Sequence, residues 1–129
     1  MVYVTDTHAV VWFLEANPRL SRAAREIMAS PESQLVIPTI ALAEIAYLYG
    51  RGRVDIDVNS VLAHVAQTAN CAIYPLDQAV AENLPAGLSI HDAIIAATAV
   101  VFRDVLSQQI AVITKDSEIK ASGIVDVLW

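Results

Sequence analysis

Apolar residues are grouped along the chain into five short runs, which are separated by longer segments of mixed composition. Each run has the length of a strand and is largely apolar at successive positions, so that both of its faces are suited to burial. Turn-forming residues or helix-capping side chains stand at the ends of the runs. The predicted strands cover residues 2–6 (VYVTD), 34–38 (QLVIP), 71–76 (CAIYPL), 110–116 (IAVITKD) and 125–129 (VDVLW).

The segments between these runs have the length and composition of helices. Helices are predicted over residues 8–16, 21–29, 40–50, 58–69, 77–83 and 90–105. Ser21, Thr39 and Asp77 are the expected N-caps, and Gly50 with Gly52 ends the third helix. Strands that alternate with helices in this way predict a three-layer α/β/α single domain over residues 1–129, with a central, mainly parallel sheet. In such open sheets, functional sites lie beyond the carboxyl ends of the strands.

The composition is apolar-rich, with 56% hydrophobic and 17% charged residues. The longest uncharged stretch of the last helix, AIIAATAVVF, is far too short to cross a bilayer, so we expect no membrane association. No basic leader precedes the first apolar run, which contains Asp6, so we expect no signal peptide. Cys71 is the only cysteine, which excludes a disulfide within the chain and favours the cytoplasm. The excess apolar surface favours an interface with a partner or a second copy.

The net charge of −6 argues against a protein that coats nucleic acid nonspecifically, because such binding requires clustered Lys and Arg. It does not exclude a nuclease, since a bound cation reverses the local sign of the field. Two groups of arginines are notable, and solvated surface is the favoured interpretation of both over phosphate contact. They are Arg19, Arg22 and Arg25, at the spacing of one helix face, and Arg51 and Arg53, on either side of Gly52.

Four acidic residues are predicted at or near the carboxyl edge of the sheet. Asp6 ends the first strand, Asp116 ends the fourth, Asp92 opens the long helix, and Glu44 lies among apolar residues in the third helix. Carboxylates that converge in a partly dry cleft repel one another and take up protons unless a cation compensates them. Carboxylate oxygens are the ligands that Mg²⁺ or Mn²⁺ prefers, so the pattern predicts a divalent-metal site that activates water at a phosphate.

Each acid also has a structural interpretation. Asp6 and Asp116 are suited to N-cap or turn positions, and Asp92 stands three residues after Ser89, as in a capping box. Glu44 caps nothing, so its alternatives are a side chain that reaches solvent or an ion pair with an arginine such as Arg51 or Arg53.

Several aromatic and histidine side chains near these acids have a packing interpretation that we favour. Trp12, Phe13 and Leu14 are expected in the core, and His8 is expected to pack or cap at the start of the first helix. His91 and Asp92 form a dipeptide that ligates metal in helical phosphohydrolases, but such sites need more histidines than this chain has.

The order of these motifs resembles the PIN-domain family, specifically the VapC-type toxins of type II toxin–antitoxin pairs, over essentially the whole chain. The four acid-bearing segments that resemble the family are VTDTHAVVWFL, PTIALAEIAYLYGRGRV, LSIHDAIIAATA and ITKDSEIK, the last followed by the terminal VDVLW. The resemblance implies an endoribonuclease that depends on Mg²⁺ or Mn²⁺, with an antitoxin partner, an RNA substrate and a homodimer. It implies that the catalytic acids are Asp6, Glu44, Asp92 and Asp116.

In that reading Asp6, Glu44 and Asp92 surround the main metal, while Asp116 acts through water or on a second metal. The resemblance also implies that Thr7 and Thr114 orient carboxylates and water. Many relatives have an arginine after the third acid and a basic segment before it, whereas this chain has Ala93 and the segment SIH. An inherited pattern of RNA contacts therefore does not carry over.

Three other functions remain open from the sequence. A phosphatase of the haloacid-dehalogenase type also begins with a strand that ends in aspartate, but it requires a second aspartate where this chain has His8. A noncatalytic module would use the acids to bind a metal or a basic peptide. A nuclease of the same fold that processes RNA without being a toxin is the third.

Overall fold

The computed structural model describes residues 1–129, and its centre is one five-stranded sheet in which every pair of neighbouring strands is parallel. The strand order is β3-β2-β1-β4-β5. The strands are β1 (Val2–Thr5), β2 (Gln34–Pro38), β3 (Cys71–Tyr74), β4 (Ile110–Ile113) and β5 (Val127–Leu128). The predicted α/β class and the parallel sheet are confirmed.

Seven α-helices connect and cover the strands. They are α1 (Thr7–Leu14), α2 (Arg22–Ala29), α3 (Thr39–Gly50), α4 (Val58–Gln67), α5 (Gln78–Glu82), α6 (Ile90–Val100) and α7 (Ser117–Ser122). Ser21 and Asp77 are N-caps as predicted, each accepting a hydrogen bond from a backbone N–H of the first turn. Gly52, beyond the end of α3, has φ of +68°, a conformation that favours glycine. No helix in the structure is long and apolar enough to pass through a membrane.

The predicted Thr39 cap is wrong, and two other local features differ from the prediction. Thr39 does not cap α3 but is its first residue, and its hydroxyl instead accepts a hydrogen bond from the backbone N–H of Leu76. The long helix remains α-helical only to Val100, after which residues Val101–Val105 form a π-helical segment. Helix α7 was not predicted at all, because it has only six residues and is defined by its caps, Asp116 and Gly123, rather than by a periodic pattern.

The two faces of the sheet are covered by different helices, which creates separate hydrophobic clusters. Helix α6 is buried from Ala93 to Val100 and packs Ile95 and Ala99 against the central strands. Its small side chains allow the helix to approach the sheet closely. On the other face, α1 and α2 bury Ala9, Ala24 and Met28 with Leu35 and Ile113 of the sheet. The sheet is therefore fully enclosed at its centre, while β3 at the edge is only partly buried.

The direction of connection reverses between β1 and β4. Strands β2 and β3 lie on one side of β1, whereas β4 and β5 lie on its other side. Strands β1 and β4 pair as far as Thr5 with Ile113, and the backbone N–H of Asp6 then donates to the carbonyl of Ile113 at 3.1 Å. Open parallel sheets form their binding crevice at this kind of reversal. The segments that follow β1 and β4 therefore meet at the same place.

Candidate functional site

All four predicted acids line one cleft of about 340 Å³ beyond the carboxyl ends of β1 and β4. They come from four different segments of the chain, so only the tertiary fold brings them together. The remaining lining residues are Thr7, His8, Trp12, Ile95 and Lys115. Most of the polar side chains that line the cleft carry oxygen atoms able to ligate a metal. Lys115 is the only lysine or arginine among its lining residues.

Asp6 both caps a helix and faces the cleft. Its Oδ1 accepts a hydrogen bond from the N–H of Ala9 at 2.8 Å, which caps α1, and its Oδ2 accepts one from the hydroxyl of Thr114. The Thr114 hydroxyl also accepts a hydrogen bond from the N–H of Asp116 at 3.0 Å. The buried Thr114 side chain therefore links Asp6, after β1, to Asp116, after β4. Burial raises the pKa of Asp6 above its ordinary value, although the hydrogen bonds from Thr114 and Ala9 lower it.

Glu44 projects into the cleft from the middle of α3. Its Oε1 accepts a hydrogen bond from the hydroxyl of Thr7 at 2.9 Å, and its Oε2 lies 3.5 Å from Nδ1 of His91. Only 22% of the side chain is exposed, so the interpretation of a side chain that reaches solvent is wrong. An arginine partner is also excluded, because Arg51 lies over the ring of Tyr47 and neither Arg51 nor Arg53 forms an ion pair with Glu44.

Asp92 stands in the first turn of α6. The Ser89 hydroxyl caps this helix by accepting a hydrogen bond from the N–H of Asp92 at 3.4 Å. This is the bond that the serine makes in a capping box. Burial raises the pKa of the Asp92 carboxyl, and the nearby charges of Asp116 and Glu44 raise it further, whereas Ser89 lowers it.

Asp116 caps α7, since its Oδ1 accepts from the N–H groups of Glu118 at 2.7 Å and Ile119 at 3.2 Å. This places Glu118 beside the acids already named: Asp92, Asp116 and Glu118 each offer an oxygen, and these oxygens lie within 4.8 Å of one another. Glu118 was missed by the sequence reasoning because α7 was missed. The feature of the sequence that could have identified Glu118 is its position two residues after Asp116, in the first turn of the helix that Asp116 caps.

The donor set fits a hard divalent cation. All the candidate ligands are carboxylate oxygens, and no cysteine is near the cleft. The raised pKa values of Asp6 and Asp92 show that the negative form of each carboxylate is disfavoured in the folded protein. A cation among these oxygens would remove that penalty, as an all-oxygen site for Mg²⁺ or Mn²⁺ does.

The raised pKa values of Asp6 and Asp92 predict that the metal-free protein loses stability as the pH rises. Above the ordinary value of 3.8 and up to the raised values, the folded state binds more protons than the unfolded state. The free energy of unfolding therefore falls through this window. The lowered pKa values of Asp57 and Asp104 act only below 3.8. Thermal unfolding in EDTA, followed from about pH 4 to neutrality, should show this fall.

Asp92→Asn should reduce the fall, because the variant cannot ionise at this position. Glu32→Gln, which removes an exposed acid outside the cleft, serves as the control and should behave like the wild-type protein. Equal pH dependence in Asp92→Asn and in the wild-type protein would contradict the burial of charge that the cleft implies.

His8 and Trp12 form a part of the cleft wall that carries no acidic side chain. Both line it, with ring centroids 5.3 Å apart, and Nζ of Lys115 lies 5.9 Å from the centroid of the Trp12 ring. Trp12, Phe13 and Leu14 pack against the core clusters as predicted, although none of the three is fully buried. Trp12 packs on the core with one part and borders the cleft with another.

Comparison with known proteins identifies both a family and a fold. The family model described as "PIN domain" matches residues 3–123. VapBC2 from Rickettsia felis, in a crystal structure bound to a DNA fragment from their promoter, matches with a TM-score of 0.66 and 15% identity over 99% of this chain and 98% of that chain. VapBC-1 from nontypeable Haemophilus influenzae matches with a TM-score of 0.63 and 18% identity over 99% and 97%. Curated protein sequences provide no match. At these identities the structural likeness shows the fold alone.

Proposed function

Because this chain belongs to the PIN domain family, whose model matches residues 3–123, we propose that it is an endoribonuclease dependent on Mg²⁺ or Mn²⁺. We further propose that it acts as the toxin of a toxin–antitoxin pair. The observation that carries the nuclease activity is the convergence of four acids from separate segments in one cleft. A helix cap or an isolated ion pair explains each acid singly, but neither explains why all four face the same space.

The residues of the cleft take distinct roles in this proposal. Asp6, Glu44 and Asp92, which line the same cleft, are proposed to hold the main metal. The oxygens that lie within 4.8 Å of one another belong to Asp92, Asp116 and Glu118, so Asp116 and Glu118 are proposed to act through water or at a second position that shares Asp92. A divalent metal held by these residues would supply two effects, a lower pKa for a bound water molecule and neutralisation of charge on the scissile phosphate.

Two threonine hydroxyls fix the direction of the proposed ligands, Thr7 through its bond to Glu44 and Thr114 through its bond to Asp6. Both oxygens of Asp6 are held by donors of the protein, the N–H of Ala9 and the Thr114 hydroxyl. Asp92 is therefore better placed than Asp6 to accept the proton of the attacking water.

The toxin assignment is supported by the fold, which is similar to those of two VapBC structures. An apolar groove of about 460 Å³ borders the acidic cleft at Glu44 and contains Tyr47, 59% exposed. We propose that the tail of an antitoxin lies in this groove and over the cleft, and that the chain forms a homodimer. The 56% hydrophobic composition accords with both interfaces.

The decisive experiment is incubation of the purified protein with RNA in the presence of Mg²⁺, Mn²⁺ or EDTA. We expect cleavage products only with a divalent metal, and we expect excess Mn²⁺ to restore activity after EDTA treatment. Cleavage that continues in EDTA would contradict the proposal. Release of phosphate from a small phosphate ester, with RNA left intact, would favour a phosphatase instead.

The toxin assignment has a separate test. Expression of the chain in a bacterial host should arrest growth, and co-expression of a small protein encoded beside it should relieve the arrest. Active cleavage in vitro without growth arrest would favour a nuclease that processes RNA and is not a toxin.

A further inference from the structure

A second cavity of about 480 Å³ adjoins the acidic cleft and shares His8 and Trp12 with it. It extends away from the acids towards Asn17, Arg19 and Arg53. We call the continuous surface formed by Lys115, Trp12, Arg19 and Arg53 the Trp12 trough. The proposed role of the four acids gives no function to this neighbouring surface.

The Trp12 trough gathers cations that have no carboxylate partner. Only Arg22 and Arg103 of the eight Lys and Arg residues form ion pairs with acids, and three of the other six, Arg19, Arg53 and Lys115, border this path. All three are exposed. In a chain with a net charge of −6, unpaired cations along one path from an acidic cleft favour contact with an anion.

Two acids also line the second cavity, Glu15 and Asp55. Oε2 of Glu15 accepts a hydrogen bond from the backbone N–H of Asp55 at 3.1 Å, but both carboxylates border this cavity and offset part of the positive charge of Arg19 and Arg53. This bond ties the segment after α3 to the end of α1 and holds Arg53 near the path of the trough.

Part of the Trp12 side chain borders both cavities, while the rings of His8 and Trp129 lie against it with centroids 5.3 Å and 5.9 Å away. Lys115 Nζ lies 5.9 Å and Arg19 Cζ 6.0 Å from the Trp12 ring centroid, and both cations are on flexible, exposed side chains. A cation–π contact at an exposed site is weaker than the stacking of a nucleobase on an aromatic ring. A base therefore displaces these cations from the ring, and the displaced cations become free to contact phosphates.

We infer, on the basis of the proposed nuclease function, that the Trp12 trough binds an unpaired stretch of the polynucleotide that enters the acidic cleft. One base stacks on Trp12, and the flanking phosphates contact Arg19, Arg53 and Lys115. The stretch is unpaired, because a base within a duplex is stacked on its neighbours and does not offer its face to a side chain. The chain thereby holds its substrate without the basic segment that precedes the third acid in many relatives.

The test measures binding of a fluorescein-labelled oligouridylate of about 12 nucleotides by fluorescence anisotropy, in Mg²⁺ and in a cleavage-deficient Asp92→Asn background. Arg53→Gln should weaken binding several-fold and reduce the slope of log affinity against log salt by about 0.7. Trp12→Leu should weaken binding about tenfold, and Trp12→Phe should retain most of it. Arg22→Gln, an equal change of charge outside the trough, is the matched control and should bind like the parent.

A duplex of the same length provides the second comparison, and its affinity should not respond to Trp12→Leu. Thermal unfolding of each variant identifies a loss that arises from misfolding, and Arg53→Gln, at an exposed site, tests the trough even if Trp12→Leu unfolds. In the otherwise wild-type protein, the trough variants should raise KM for RNA and change kcat little.

Failure of this inference and failure of the proposed function have different signatures. If the wild-type protein cleaves RNA with metal but Arg53→Gln and Trp12→Leu both behave like Arg22→Gln, the Trp12 trough is not a binding site. If the wild-type protein cleaves no RNA under any metal condition, the nuclease proposal fails, and the binding measurements then decide the trough independently.

Discussion

Asp92→Asn is expected to reduce metal-dependent cleavage of RNA by about a thousandfold or more. The substitution keeps the shape of the side chain but removes a charge that the proposed metal requires and a group that accepts the proton of the attacking water. Asp92 lies beside Asp116 and Glu44, and its carboxyl is the one whose pKa is raised by both of those neighbouring charges. Its removal therefore affects the site at the point where the acids are most strongly coupled.

The measurement is the initial rate of cleavage of a labelled RNA in Mn²⁺, compared across Asp92→Asn, Asp6→Asn and Glu32→Gln. Asp6→Asn should lose activity to a similar extent, because Asp6 is the buried acid that Thr114 and Ala9 orient. Glu32→Gln changes the net charge by the same amount at an exposed position and should retain full activity. Full activity in both aspartate variants would refute the assignment of the cleft as the catalytic site.

Mn²⁺ is expected to raise the melting temperature of the protein by about 10 °C at neutral pH. A ligand that binds only the folded state at about 100 times its dissociation constant adds about 2.7 kcal/mol of stability. For a domain of this size that corresponds to the stated shift. The physical reason is the burial of the carboxylates, which raises the pKa values of Asp6 and Asp92 in the metal-free protein, with a smaller contribution from the neighbouring acids. A bound cation relieves both effects.

Asp92→Asn distinguishes this effect from nonspecific stabilisation by salt, because two changes in opposite directions are expected. In EDTA at neutral pH, the variant should melt above the wild-type protein, since it lacks a charge that folding disfavours. In Mn²⁺ it should gain much less than the wild-type protein, since it lacks a ligand. Calorimetry with and without metal measures both. An equal gain from Mn²⁺ in both proteins would show that the metal binds elsewhere.

Local features of the sequence were sufficient to predict the sheet and most of its helices. The strands are short apolar runs because a parallel sheet is covered on both faces, and such runs are visible without the fold. The caps Ser21 and Asp77 were found because each contacts a backbone group only three residues away. Short helices defined only by their ends, such as α7, carry no periodic signal and were missed together with Glu118.

The candidate site was predicted in part for the same reason. Asp6 follows β1 directly and Asp116 stands three residues after the end of β4, so the parallel arrangement places both near one edge of the sheet. The hydrogen-bonding partners of Glu44 depend on how α1 and α6 pack beside α3. An arginine partner was one alternative from the sequence, and the resemblance named Thr7 among the residues that orient carboxylates. The fold provides Thr7 from α1 and, without any signal in the sequence, His91 from α6.

The sequence by itself determined the elements, the parallel architecture and the presence of four acids near one edge, because these follow from local periodicity and from the ends of strands. Only the tertiary structure decided that Thr114 joins Asp6 to Asp116, that Glu118 lies within reach of Asp92, and that Trp12 borders the cleft as well as packing against the core. These relations join residues from segments that meet only after the sheet and its helices have packed, and no spacing along the chain encodes the distances between them.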